Sequence, residues 1–169
     1  MASERLELAS PTLALEAAYR ESEADFARAG ETFLASARWD YPGFVQRCKE
    51  YEQVPEGRVP QLDFFLLRDG ATILGQSGLR LWLTSDLEDI GGHIGYRIRP
   101  SERRKGYGAR LLAMTLDEAR KRGLTDVLLT CDSDNIGSRR IIECNGGQLA
   151  SESISPQSGV LVARYWIHR

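Results

Sequence analysis

From Ile98 to Leu112 the chain reads Ile-Arg-Pro-Ser-Glu-Arg-Arg-Lys-Gly-Tyr-Gly-Ala-Arg-Leu-Leu, and no other stretch limits the fold so tightly. His93 to Arg99 alternates in polarity, which is the period of a strand. Alternation puts His93, Gly95, Arg97 and Arg99 on one face and Ile94, Tyr96 and Ile98 on the other. Pro100 stops that strand. From Gly106 to Arg122 the inward residues Leu111, Leu112, Thr115, Leu116 and Ala119 recur at helical spacing, and Gly123 ends the run. A strand must therefore pass through a short loop straight into a helix. The first N–H groups of a helix have no internal partner, and the helix dipole makes them partly positive. Gly106 and Gly108 allow close approach to the backbone, while Arg103, Arg104 and Lys105 add formal charge. Together these features make an anion site. On pattern alone, a solvated basic turn at a glycine-rich helix entry is an equal reading.

The same periodicities organise the rest. Arg5 to Leu8 alternates as a short first strand. Thr12 caps an Ala-, Leu- and Glu-rich helix running to about Ala29, which Gly30 ends. Tyr41-Pro42-Gly43 is a turn or helix start, and Phe44 to Tyr51 is a second helix with Phe44, Val45 and Cys48 on one face. Pro55, Gly57 and Pro60 mark a loop. Phe64 to Leu67 is a buried strand, and Arg68-Asp69-Gly70-Ala71 is a hairpin turn. Ile73 to Leu83 is a long strand whose Gly75 and Gly78 signal bulges or close backbone approach. Asp86 to Asp89 is an acidic loop, and Asp126 to Cys131 an apolar strand. Asp132 and Asp134 cap a short helix from Asn135 to Glu143, which Asn145-Gly146-Gly147 ends. Leu149 to Ile154 and Val160 to Ile167 are the last strands. Hairpins thus flank one central β-α-β unit. The expectation is a single α/β domain over 1–169, with a mixed, mostly antiparallel sheet and helices on both faces, not a doubly wound sheet.

The chain has 169 residues and a formal charge of −2, which argues against general nucleic-acid binding. Cys48, Cys131 and Cys144 form no paired framework and fit a reducing compartment. His93 and His168 are the only histidines, and no metal-ligand spacing occurs. Met1 to Leu8 carries charges, and no apolar run suits a signal peptide or a span. The expectation is a cytoplasmic protein, monomeric or homodimeric, with no metal, nucleic acid or membrane partner. Two phosphate motifs are missing: there is no P-loop and no dinucleotide fingerprint after an early strand.

The stretch Ile98 to Leu112 resembles the acetyl-CoA signature of the GNAT superfamily of N-acetyltransferases. That signature is an apolar strand, a proline, then Arg/Gln-x-x-Gly-x-Gly/Ala opening a helix, with Arg103, Gly106 and Gly108 in register. Asn135-Ile136-Gly137-Ser138 resembles the family's Asn-x-x-Ala/Ser, and Gly146 falls where the family places its next glycine. Gly91 to Tyr96 and Arg164 to Ile167 are similar to a subgroup of bacterial members.

The resemblance implies acetyl-CoA (coenzyme A) as cofactor. Its pyrophosphate would rest on N–H groups from Arg104 to Ala109, in a loop of Arg103, Lys105, Gly106, Tyr107 and Gly108. Ile98 and Arg99 would offer a strand edge to the pantetheine arm, and Asn135 and Ser138 would complete the contacts. The implied reaction is acetyl transfer to a primary amine of a small molecule or peptide, by direct attack in a ternary complex. The alternative is a non-catalytic acyl-CoA-binding or sensor domain. One departure favours it: the family's thiol-protonating tyrosine, seven residues after the Asn, is Ile142 here. Ser138, Cys144 and Tyr165 are candidate replacements, against readings as a pantetheine contact, a small core residue and strand packing. His93, with an ordinary pKa near 6.5, is the candidate base, against a hydrogen-bonded structural role. Asp86, Glu88 and Asp89 are a solvated turn or attract a cationic substrate.

Overall fold

The computed structural model describes residues 4–32, 39–52 and 59–168. In chain order these form β1 (Leu6–Ala9), α1 (Glu16–Arg28), α2 (Tyr41–Glu52), β2 (Gln61–Arg68), β3 (Thr72–Arg80), α3 (Ser85–Asp89) and β4 (Ile94–Ile98). After these come α4 (Tyr107–Lys121), β5 (Asp126–Asp132), α5 (Ile136–Cys144), β6 (Gln148–Ile154) and β7 (Leu161–His168).

The hairpin between β2 and β3 turns on Asp69 and Gly70, whose φ values are 53° and 70°. Positive φ at both central residues gives the turn the same twist as the strands it joins. β1 and β4 extend this hairpin into an antiparallel sheet of order β1-β2-β3-β4, and β5-β7-β6 form a second antiparallel sheet. Helices cover both faces of the first sheet. On one face, α1 and α2 bury Tyr19, Phe26, Tyr41 and Phe44 against Phe65, Leu67 and Ile73. On the other, α4 packs Leu111 against Leu66, Leu74 and Ile98, and Leu112, Leu116 and Ala119 against Leu129, Ala163 and Tyr165. All the residues read as inward on α4 are buried, and Thr115 bonds Ser77 across the interface at 2.7 Å. Each fully buried leucine contributes about 1.5–3 kcal/mol, so α4 is the beam that joins the two sheets. At Gly75 an added Cβ would lie 2.6 Å from Arg97 O, so this interior glycine is there for close approach.

Several local expectations are corrected. Thr12 makes no side-chain cap; a short 3₁₀ turn at Leu13–Leu15 precedes α1. Asp86 to Asp89 lies in a helix rather than a loop, capped by Thr84. Its Asp89 is no solvated charge: it accepts from Arg164 at 2.6 Å and bonds Ser155. The strand after the hairpin stops at Arg80 rather than Leu83. Pro55 and Gly57 lie outside the described residues.

Candidate active site

The crossover through α4 brings β5 alongside β4, and the two strands meet at one point. Gly92 has φ 62°, and a Cβ there would lie 2.5 Å from Leu128 O. This close approach lets the His93 N–H donate to Leu128 O at 2.8 Å. The Leu128 N–H donates back to His93 Nδ1 at 2.9 Å. Beyond this pin β4 and β5 share no ladder. β4 keeps β3 on one edge, and among the described residues no strand pairs with the other. A cleft of about 690 Å³ opens there, between Tyr96 and Ile98 on β4, the loop into α4, and the start of α5.

The loop presents backbone to the cleft. Gly106, at the helix N-cap, has φ 85°, and Arg104 has φ 61°. The first helical bond of α4 runs from the Arg110 N–H to Gly106 O at 3.3 Å, so the N–H groups of Tyr107, Gly108 and Ala109 have no helical acceptor. Gly106, Gly108 and Ala109 line the cleft. A Cβ on Gly108 would lie 2.5 Å from Ile141 Cδ1, so a side chain there would force Ile141 to move.

Most of the basic residues in this stretch already have acidic partners. Both terminal nitrogens of Arg103 donate to Glu31, each at 2.7 Å, and its Nε donates to Ile98 O at 3.1 Å. Lys105 pairs with Glu102 at 2.9 Å, and Arg99 with Asp25 at 3.2 Å. Asp25 also accepts the Ser101 N–H at 3.0 Å and Arg28 at 3.0 Å. Burial pushes the Asp25 carboxyl up, but these hydrogen bonds outweigh it and hold the pKa at about 2. Asp25 on α1 thus anchors the start of the loop, and Tyr107 anchors its end by donating to Glu4 at 2.6 Å. Arg104 and Arg140 line the cleft and form no ion pair with any described residue. The result, among the described residues, is a helix start with unpartnered N–H groups and two guanidinium groups outside any ion pair beside one cavity, which suits a polyanion.

Asn135 itself caps α5, its Oδ1 accepting the Ser138 N–H at 3.0 Å, so the expected caps Asp132 and Asp134 are not used. This turn presents Ser138 to the cleft, where Ser138 Oγ and the Tyr96 hydroxyl lie 2.7 Å apart. Burial pushes the Tyr96 phenol up to about 12, partly offset by Ser138. Ile142 is fully buried in the core and does not line the cleft. Tyr165 is fully buried too and donates to Glu143 at 3.0 Å, outside the cleft lining. Cys144 is exposed rather than in the core. His93 is buried and outside the lining; burial pushes its pKa down, and the Arg80 charge adds to this.

Of the residues expected around a cofactor, the cleft brings together Ile98, Arg103, Arg104, Gly106, Gly108, Ala109, Asn135 and Ser138. Arg99, Lys105 and Tyr107 instead brace the loop. Tyr96, Gly137, Arg140 and Ile141 also line the cleft and were not expected. Signals for them existed. Tyr96 shares a strand face with Ile98, and Gly137, Arg140 and Ile141 sit three and four residues apart on one helix face.

A sequence model of the Acetyltransferase (GNAT) family matches residues 30–146, a span that holds every residue lining the cleft. The chain belongs to the GNAT acetyltransferase family. As a GNAT member it is an acetyl-CoA-dependent acetyltransferase, and the fold class and cofactor expected from the sequence hold. No curated protein matches the chain. Among solved structures it is similar to yncA of Salmonella typhimurium with its cofactor acetyl-CoA, at 18% identity and TM-score 0.68, over 99% of this chain and 94% of that one. It is similar to Mycobacterium smegmatis RimJ in complex with CoA-disulfide, at 17% identity and TM-score 0.72, over 96% of this chain and 81% of that one. A third similar structure is the Salmonella typhimurium acetyl transferase that modifies the N-terminal serine of 50S ribosomal subunit protein L7/L12. It shares 14% identity at TM-score 0.70, over 97% of this chain and 95% of that one. At these identities the likeness is one of fold. No described helix is long and apolar enough to cross a membrane.

Proposed function

We propose that the cleft holds acetyl-CoA with its pyrophosphate on the N–H groups at the start of α4, flanked by Arg104 and Arg140, and that the acceptor is the α-amine of a peptide or small molecule. The observation that carries the cofactor pose is the coincidence of unpartnered N–H groups and unpaired guanidinium groups in one cleft. The free edge of β4 at Ile98 offers backbone groups to an extended pantetheine arm. When bound, acetyl-CoA supplies an activated thioester. Ser138, held by the Asn135 cap, is with Tyr96 one of the hydroxyls of the described cleft lining, and in the absence of the family tyrosine we assign it to the leaving sulfur.

The acceptor class follows from the charges. Glu31 and Glu102, the carboxylates in the lining, are already bonded to Arg103 and Lys105. An amine arriving here has no free carboxylate among these to take its proton. Deprotonating a lysine amine of pKa about 10.4 costs roughly 4–5 kcal/mol at neutral pH, and an α-amine near 8 costs only about 1 kcal/mol. An α-amine therefore enters neutral often enough to attack directly. The L7/L12 enzyme of the same fold modifies an N-terminal serine. We place the activity in the cytoplasm, in keeping with the free cysteines, and in one domain spanning 1–169.

The test is thiol release from acetyl-CoA with free-α-amine peptides against the same peptides blocked at the N-terminus and carrying lysine. Turnover of the first set at neutral pH, with the second rising only toward pH 10, is the expected result. Acetyl-CoA binding with no thiol release for any amine would instead favour a non-catalytic sensor, the reading that the buried Ile142 supports.

A further inference from the structure

We propose that Tyr96 is a positioning residue of the acetyl transfer, orienting the Ser138 hydroxyl so that the pair presents one proton to the coenzyme A sulfur. The inference rests on the acetyltransferase reading above. It starts from where the two hydroxyls lie. Tyr96 extends from β4 and Ser138 from α5, so their contact ties the free-edged strand to the first turn of α5. Both line the cleft. Ile142, where the family has its tyrosine, is buried and gives the cleft no donor.

Two hydroxyls in mutual contact hold two protons, and their own bond uses one. When Tyr96 donates to Ser138, whose carbonyl oxygen also lies 3.4 Å from the phenol, the serine proton is the one left free to point into the cleft. A lone serine hydroxyl rotates; one locked to Tyr96 has fewer orientations to lose when sulfur becomes anionic. The roles are set by acidity. A phenol pushed up to about 12 by burial lies well above a thiol of about 8.5, so Tyr96 keeps its proton throughout. It acts as a fixed donor rather than a source of protons. Electrons and protons balance without it. The amine nitrogen bonds the acetyl carbon, the C–S bond breaks, and its electron pair stays on sulfur. The amine's proton leaves to water, and the released thiolate takes a proton from water. The pair lowers the energy of the charge on sulfur while it exists.

The experiment follows the ultraviolet absorbance of the thiolate in bound coenzyme A, at saturation, as pH rises. Spectra of coenzyme-free protein are subtracted at each pH. The groups around the pair are Cys131 on β5, whose thiol is pushed up by burial, and Arg139 and Glu143 on α5, which act on Cys131. Arg97 and Arg140 add positive charge from the lining. All of these remain in Tyr96→Phe, so the comparison isolates one hydroxyl. The expected midpoint lies below the free thiol's in the wild type and about one unit higher in Tyr96→Phe, a tenfold change in the ionisation constant. kcat should fall about tenfold, with acetyl-CoA affinity and Tm unchanged. Ser138→Ala should shift the midpoint the same way, and the double variant no further than Ser138→Ala alone, because the two act as a unit. Equal midpoints in wild type and Tyr96→Phe overturn the proposal while leaving the acetyltransferase reading intact. A lower Tm with an unmoved midpoint also overturns it, assigning Tyr96 to packing. Coenzyme A that does not bind the wild type at all overturns both.

Discussion

The two ends of the β4–β5 junction are built from the same materials, glycines and polar side chains, and use them in opposite ways. At the Gly92–His93 end the glycine brings two backbones together, and the His93 ring accepts a hydrogen bond from the strand it touches. The backbone groups of His93 and Leu128 that meet there are satisfied by each other and by the imidazole. At the Tyr96–Gly106 end the strands part, glycines keep side chains out of the cleft, and the first-turn N–H groups, Arg104 and Arg140 have no hydrogen-bonded or ion-pair partner among the described residues. A buried unmatched donor costs about 1–3 kcal/mol, so such groups persist only where water or a ligand reaches them. The pinned end therefore fixes the angle at which the strands diverge, and the open end is where we propose that the cofactor binds.

The comparison breaks most sharply at Gly92. Gly92→Ala adds a Cβ against Leu128 backbone at a residue with φ 62°. Neither the strand nor the turn can yield, and the expected loss is about 3 kcal/mol. In a chain of this size that lowers Tm by roughly 10 °C, measured calorimetrically, with acetyl-CoA affinity of the folded fraction within twofold of wild type. Ile142→Tyr comes next. A larger ring in a fully buried site beside Gly147, whose own Cβ would lie 2.4 Å from Ile142 Cγ2, is overpacked. The expected cost is about 2 kcal/mol in urea unfolding, with no gain in thiol release. A gain in turnover at unchanged stability would show that this position faces the cleft after all.

At the open end, Arg104→Ala and Arg140→Ala should each weaken acetyl-CoA binding about tenfold, near 1.4 kcal/mol, and flatten its salt dependence. Isothermal titration at two ionic strengths measures both. The smallest effect is at His93. Burial keeps its imidazole neutral and its pKa below the ordinary 6.5, so the unfolded chain takes up the proton first as pH falls. The stability from this group is whole above about pH 6.5 and shrinks as pH drops toward and through the lower folded value. Tm against pH should slope downward there in the wild type and less steeply in His93→Gln. An unchanged slope would place the titrating group elsewhere.

The open end was far more legible in the sequence than the pinned one. Loop chemistry is local: Pro100, the basic run and Gly106 followed one another, and the helix periodicity behind them fixed where the N–H groups point. The fold was legible for the same reason, since β2, β3 and α4 are long periodic runs with clear stops. Three things were hidden because they depend on contacts distant in sequence. Arg103 and Lys105 looked available for an anion, but Glu31 and Glu102 occupy them. His93 read as a base or as a hydrogen-bonded structural residue, and nothing local pointed to Leu128, 35 residues away. Asp89 read as part of a solvated or substrate-attracting acidic run because Arg164, its partner, lies 75 residues on.

The central claim is that the loop opening α4 is the cofactor site, and Gly108 tests it most directly. A Cβ there already lies 2.5 Å from Ile141 Cδ1, so Gly108→Val must displace Ile141 in the cleft lining and crowd the first-turn N–H groups. Acetyl-CoA is titrated into wild type and Gly108→Val by calorimetry, after circular dichroism confirms that both are folded. The account expects saturable binding by the wild type and at least tenfold weaker binding by the variant. Equal affinities would contradict it and place the cofactor elsewhere on the chain.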